Sequence, residues 1–162
     1  MEANQVVSVK IQNITDDLLQ EMARRVRLPQ TAPTRSSVNA NVWEGFFRFA
    51  TPVTSTFLQV KQRSFQLQRM ERHINTEEVV IALDGPVIVP MAPPGELHQV
   101  RDQMIACYLP QGEGLILAPG AWHLAPFPLQ ETSSVLVIFN MDTPANDMEF
   151  QDLTPPARMI WE

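Results

Sequence analysis

The chain has 162 residues, of which 44% are hydrophobic and 19% are charged, as expected for one globular domain with its own core. We therefore expect a single domain over residues 1–162. The formal net charge of −6 disfavours a nucleic-acid partner, because binding to phosphates requires a basic surface. The N-terminal residues lack the pattern of a secretion signal, no apolar run is long enough to span a membrane, and the single cysteine, Cys107, fits a reducing compartment. These features predict a cytoplasmic protein with no membrane partner.

The predicted elements at the N-terminus are one strand, one helix and a loop. Val7, Val9 and Ile11 alternate with polar residues and predict the strand. Thr15 is the predicted N-cap of the helix, and residues 28–41 are rich in Pro, Thr, Ser and Asn, which indicates a loop. The apolar stripe of the helix consists of Leu18, Leu19, Met22 and Val26, with Arg24, Arg25 and Arg27 at its C-terminal end.

The rest of the chain predicts short strands joined by turns. An aromatic run at residues 43–49 predicts a core strand, and Asp84-Gly85 between two apolar runs predicts a β-hairpin. The tail from Met141 onward has the composition of a loop. Further strands are predicted at residues 56–61, 64–70, 79–83, 86–91, 104–109, 115–117 and 135–139. The sum is an all-β fold, an antiparallel β-barrel or jelly roll with one short N-terminal helix.

The candidate site lies around the segment 70–85. On an extended strand Glu71 and His73 point to the same face, and Glu78 opens the next strand, from which it can face the same interior. A turn some forty residues later supplies His123. Glu71, His73, Glu78 and His123 are therefore the predicted catalytic residues, either for acid–base chemistry or around a metal. Nitrogen and oxygen ligands from His73, Glu78 and His123 suit a divalent ion such as Ni, Mn, Fe or Zn, and without one the site has no cofactor.

These residues stand in motifs that resemble those of the cupin superfamily. The first cupin motif is similar to His73, four residues, Glu78, six residues and Gly85; the second is similar to Gly114 through Gly120 to His123. The usual first histidine of a cupin falls on Glu71 here. The segments Met70-Glu71-Arg72-His73 and Gly120-Ala121-Trp122-His123 further resemble the ureidoglycolate lyase family, at a similar spacing. The likeness covers roughly the central half of the chain.

The resemblance implies an enzyme that splits ureidoglycolate into glyoxylate and urea, with nickel as cofactor. The substrate is an anionic small molecule, so a cation is expected to pair with its carboxylate. The candidates are Arg48, Arg69 and Arg72; strand parity favours Arg69 over Arg72, although a chain bend after Met70 reverses that choice. Trp122 is expected to form a wall of the site.

Two other functions stay open. Leu117, Ala118 and Leu124 replace polar residues of the lyase family, which favours a cupin that binds a small molecule or sugar without turnover. The other alternative is a structural β-domain without a pocket. The resemblance to cupins implies pairing through edge strands, so a homodimer is expected in each case.

Overall fold

A computed structural model describes residues 6–27, 31–45 and 47–161 of the chain. Strands dominate it, which confirms the predicted all-β class. None of the helices in this described part has the length and apolar character needed to cross a membrane. The helices are α1 (Asp16–Leu19), α2 (Leu97–Val100) and α3 (Thr143–Asn146), with a 3₁₀ turn at Arg101–Gln103. The strands are β1 (Val7–Asn13), β2 (Ala23–Val26), β3 (Arg35–Ser36), β4 (Asn41–Val42), β5 (Val53–Lys61), β6 (Gln66–Arg72), β7 (Glu78–Ala82), β8 (Val87–Ala92), β9 (Ile105–Leu109), β10 (Gly114–Leu117), β11 (Trp122–His123), β12 (Phe127–Pro128), β13 (Thr132–Asn140) and β14 (Glu149–Trp161).

Two sheets carry the fold. The five-stranded sheet has the order β2-β10-β7-β13-β5 and is antiparallel throughout. In the other sheet, six strands close into a ring in the order β11-β6-β14-β1-β9-β8, because β11 pairs with both β6 and β8. Strand β1 runs parallel to both β14 and β9, so the ring is mixed and not wholly antiparallel as predicted. A separate two-stranded hairpin joins β3 and β4.

The buried apolar residues form two cores. One core draws side chains from both sheets, and the other draws them from all six strands of the ring. Strand β8 serves both, since Val89 belongs to the first core and its neighbour Ile88 to the second. The ring wall that carries β8 is therefore covered on both faces. On β6, Leu67 and Met70 are buried in the core of the ring, whereas Gln66, Gln68 and Arg69 are exposed.

The N-terminal helix is shorter than predicted. Thr15 does cap it, with Oγ1 accepting a hydrogen bond from the backbone N–H of Leu18 at 3.2 Å. The helix ends at Leu19, however, and of the two residues expected to complete its stripe, Met22 lies in a turn and Val26 lies in β2, which pairs with β10. Arg25, expected at the helix C-terminus, binds Glu113 instead. The helical spacing of apolar residues in this segment is a weak signal. Backbone hydrogen bonds to β10 determine its structure instead.

Two predictions of local strand structure are also wrong. Asp84-Gly85 connects β7 to β8, but these strands lie in different sheets and do not form a hairpin. Asp84 instead accepts a hydrogen bond from the backbone N–H of Ser134 at 2.6 Å. The aromatic run at 43–49 is not a strand in its described residues, and Phe46 lies outside them.

The C-terminal tail is a barrel strand and not a loop. Strand β14 pairs with β6 on one side and with β1 on the other, and the register on β6 shifts between Asp152 and Ala157. Met159, near its end, is 2% exposed in the core of the ring. The tail therefore closes its own barrel.

Candidate functional site

Four polar side chains meet at one end of the space between the two sheets. Glu71 lies on β6 and His73 directly follows that strand, while Glu78 is the first residue of β7. His123, on β11, stands opposite Glu71 in the β11–β6 ladder. The imidazole rings of His73 and His123 have their centroids 5.0 Å apart. The structure thus brings together the four residues that the sequence predicted as catalytic.

Backbone carbonyls orient both imidazole rings. Nδ1–H of His73 donates to the carbonyl of Asp147 at 2.6 Å, and Nδ1–H of His123 donates to the carbonyl of Ala121 at 3.0 Å. In each ring Nε2 therefore faces Glu78, whose Oε2 lies 2.9 Å from Nε2 of His73 and 3.6 Å from that of His123. Nε2 of His123 is buried and has no hydrogen-bond partner in the described part of the chain. A buried nitrogen without a partner requires an explanation, and a bound cation is one.

Charge attraction within the cluster outweighs the cost of burial for three of its members. Burial alone would raise the pKa of Glu78, but the two imidazoles, His123 foremost, lower it to about 2. Burial would likewise lower the pKa of His123, yet the carboxylate of Glu78 raises it to about 8. Burial is also the largest single effect on His73 and lowers its pKa, but the hydrogen bond to Glu78, the charge of Glu78 and the hydrogen bond to the Asp147 carbonyl together raise the pKa above its usual value. Without a metal, the carboxylate of Glu78 lies between two imidazoles whose pKa values are both raised.

Glu71 is the exception in this cluster. Its pKa is raised, chiefly because burial disfavours the carboxylate, although the positive charge of His123 acts in the opposite sense. Its Oε1 lies 3.9 Å from Nε2 of His123. Two carboxylates in one site thus have pKa values shifted in opposite directions, which is how an environment separates a charged ligand from a proton-transfer group.

The donor set fits a divalent metal ion. One donor atom each from His73, Glu78 and His123 can be chosen so that all three lie within 4.8 Å of one another, and all three residues are buried. Ligands about 2.1 Å from a common ion lie roughly 3.0–3.5 Å apart, close to the distances found here. Both imidazoles donate their other N–H to a backbone carbonyl, the usual outer partner of a metal-bound histidine. The chemistry suits the borderline ions Ni, Mn, Fe and Zn, without choosing among them.

A cavity of about 290 Å³ opens beside the cluster. Its polar end is formed by Glu71, His73 and Glu78. No lysine or arginine is among the described residues that line it. The remaining wall is mainly apolar and consists of Thr56, Leu58, Ala125, Pro126, Val137, Phe139, Thr143, Pro144 and Met148.

None of the four residues predicted to bind the substrate lines this cavity. Trp122 is 2% exposed in the core of the ring, and the guanidinium of Arg72 lies over its indole, 4.4 Å from the ring centroid. Arg69 is exposed and pairs with Asp152, 3.5 Å away. Arg48 is exposed on the rim of a different cavity. The alternation of side chains along β6 had indicated that Arg72 points away from Glu71, and the structure agrees. A contact of Arg48, Arg69, Arg72 or Trp122 with a substrate stays a prediction.

The main residue that the sequence analysis missed is Asp147. It lies in the tail expected to be a loop, and no local pattern distinguishes it from other aspartates there. The wall residues Thr56, Leu58, Val137 and Phe139 follow the two-residue period of β5 and β13, so that period was the available signal.

Comparison with known proteins supports the fold and not a family. No protein-family model and no curated protein matches the chain. The sugar 3,4-ketoisomerase QdtA from Thermoanaerobacterium thermosaccharolyticum, solved in complex with TDP, is 14% identical with a TM-score of 0.51, over 80% of this chain and 88% of that chain. A cupin 2 domain-containing protein from Halorhodospira halophila is 20% identical with a TM-score of 0.44, over 75% of this chain and 77% of that chain. Procruciferin, an 11S globulin from Brassica napus, is 12% identical with a TM-score of 0.43 over 62% of this chain, which spans 22% of that protein's length. The fold is a cupin-like jelly roll, and at these identities the likeness carries nothing finer.

Proposed function

We propose that the protein is a cupin-type enzyme that acts on a small hydroxy- or ureido-acid, with cleavage of ureidoglycolate into glyoxylate and urea as its reaction. The observation that carries the proposal is the convergence of His73, Glu78 and His123 beside a cavity of about 290 Å³, whose polar end is formed by Glu71, His73 and Glu78. The resemblance of the segments around His73 and His123 to the lyase family supplies the substrate class.

In this proposal His73, Glu78 and His123 hold a divalent metal, and Glu71 is left for proton transfer. When bound, such an ion supplies positive charge for the substrate carboxylate and lowers the pKa of a coordinated hydroxyl group. The absence of arginine and lysine from the described cavity wall is consistent with this assignment, because the wall offers no other cation for the carboxylate.

The reaction requires one proton to move from oxygen to nitrogen. As the carbinol O–H of ureidoglycolate becomes the C=O of glyoxylate, the C–N bond breaks and its electron pair goes to the departing urea nitrogen, which takes up a proton. A single carboxylate can accept the hydroxyl proton and return it to that nitrogen. Glu71 suits this role, since burial raises its pKa towards the range in which a carboxyl group both accepts and donates protons.

The decisive experiment measures glyoxylate released from ureidoglycolate, with and without added Ni or Mn. We expect turnover that depends on the metal and is lost in His123→Ala. Glu71→Gln should retain the metal but lose at least about 100-fold in rate, as is typical when a general acid–base group is removed. His98→Ala is the matched control, because His98 is the one remaining histidine, and it is exposed outside the cavity. Full activity in His123→Ala would contradict the proposed mechanism.

A second candidate function is binding of a small molecule or sugar without turnover. The mainly apolar cavity wall favours it, because such a wall suits a neutral ligand as well as an acid. Calorimetry that shows ureidoglycolate binding in the cavity while no glyoxylate forms would favour this binder over the lyase.

A further inference from the structure

One segment of the chain both covers the cavity and contacts a histidine of the cluster. Thr143, Pro144 and Met148 line the cavity, and Asp147 lies between them in sequence. We call residues 143–148 the roof segment. A single side chain of this segment, that of Asp147, ties it to the turn that follows His73.

The carboxylate of Asp147 is fully engaged in that tie. Its Oδ1 accepts a hydrogen bond from the backbone N–H of Ile74, and its Oδ2 accepts one from the backbone N–H of Asn75, both at 2.8 Å. The side-chain amide of Asn75 donates a third bond to Oδ1 at 3.1 Å. These three bonds fix the position of Asp147 relative to the two residues directly after His73.

The same residue orients the imidazole. With its carboxylate held by the turn, the backbone carbonyl of Asp147 lies 2.6 Å from Nδ1 of His73 and can only accept a hydrogen bond. Nδ1 must therefore carry the proton, and Nε2 is directed to Glu78. We infer that Asp147 is the positioning residue of the site: it couples the roof segment to His73 and selects the nitrogen that His73 presents to the cluster.

His123 is an internal reference for this inference. Its Nδ1–H is bonded to the carbonyl of Ala121, two residues earlier in the same turn, and this bond does not involve the roof segment. Loss of the Asp147 carboxylate should release His73 while leaving His123 in place. A general loosening of the protein would disturb both rings.

The test compares Asp147→Ala with Asp142→Ala, a matched control just before the roof segment. Asp142 is exposed, and its carboxylate makes no hydrogen bond to the described residues. At alkaline pH, where a neutral imidazole carries one ring proton, ring ¹⁵N chemical shifts of the metal-free protein report which nitrogen of each histidine is protonated, and the chain contains only three histidines. In Asp147→Ala we expect the His73 nitrogens to move and those of His123 to remain. Zn²⁺ affinity, measured by competition with a chelator, should fall about 10- to 100-fold, as for other outer partners of metal-bound histidines.

Three outcomes overturn the inference: an unchanged His73 ring, an equal change in both rings, or the same change in Asp142→Ala. If Asp147→Ala does not fold, Asp147→Asn takes its place. It retains one carbonyl oxygen for the turn, so the shift of the His73 ring should have the same direction and a smaller size. The inference rests on the proposed function only in treating His73 as a functional residue of the site. A wild-type protein that binds no Zn²⁺ would contradict the proposed metal site, whereas the ring comparison in metal-free protein decides the role of Asp147 independently.

Discussion

Replacing Glu78 by glutamine in the metal-free protein should remove most of the pH dependence that the site gives to stability. The Glu78 side chain is 10% exposed and lies between two imidazoles, so glutamine preserves its volume while removing the central charge. The pKa of Glu78 is lowered from 4.5 to about 2, and that of His123 is raised from 6.5 to about 8. Both pKa shifts arise in large part from the same electrostatic attraction between the Glu78 carboxylate and the His123 imidazolium.

The signs of the two shifts define a pH window. The lowered pKa of Glu78 contributes stability that is complete above pH 4.5 and is lost as the pH falls towards 2. The raised pKa of His123 contributes stability that is complete below pH 6.5 and is lost as the pH rises through 8. The cluster therefore stabilises the metal-free fold most between pH 4.5 and 6.5. At about 1.4 kcal/mol per pH unit, the loss is about 3–4 kcal/mol on the acid side and about 2 kcal/mol on the alkaline side.

The assay is urea unfolding of metal-free wild type and Glu78→Gln at a series of pH values. We expect the difference in free energy of unfolding to be largest near the middle of that window and to shrink by about 2 kcal/mol once the pH exceeds the raised pKa of His123. His98→Ala should follow the wild-type curve, because its ring is exposed and outside the cluster. A difference that stays constant across this range would refute the assigned charges.

Two further predictions concern the fold. Met159→Ala should lower the free energy of unfolding by about 2–5 kcal/mol, because it leaves a cavity in the core of the ring. The control Ile160→Ala should cost much less, because the Ile160 side chain is 36% exposed. Equal losses in urea unfolding would contradict the placement of β14. Gly114→Ala should destabilise by about 1–3 kcal/mol, because its new Cβ would lie 2.6 Å from the carbonyl oxygen of Val80 on the paired strand; an unchanged melting temperature would contradict this register.

The sequence predicted the site better than the connections around it. The period of two along a strand placed Glu71 and His73 on one face, and this parity depends only on local backbone geometry. The position of Glu78 at the start of a strand followed from the apolar run that it opens. His123 was found through a short motif, and its approach to Glu71 arises from the pairing of β11 with β6.

The wrong predictions of strand pairing share one cause: a local sequence pattern can indicate a strand, but it does not indicate which other strand it pairs with. Asp84-Gly85 does turn the chain, but β8 and the residues of β7 after Glu78 are apolar and mostly buried. Nothing local therefore decided whether these strands pair with each other or lie in different sheets. The prolines of the tail concealed β14, whose register on β6 shifts where they occur.

By itself, the sequence determined the all-β class and the four side chains of the cluster, because alternation and short motifs are local properties of the chain. Only the tertiary structure decided that six strands close into a ring, that Trp122 is buried in the core of that ring, and that Asp147 orients His73. These features depend on contacts between distant segments, such as the 74 positions that separate His73 from Asp147. The free energy that stabilises these contacts arises from strand pairing and burial between distant segments, which cannot be read from a short stretch of sequence.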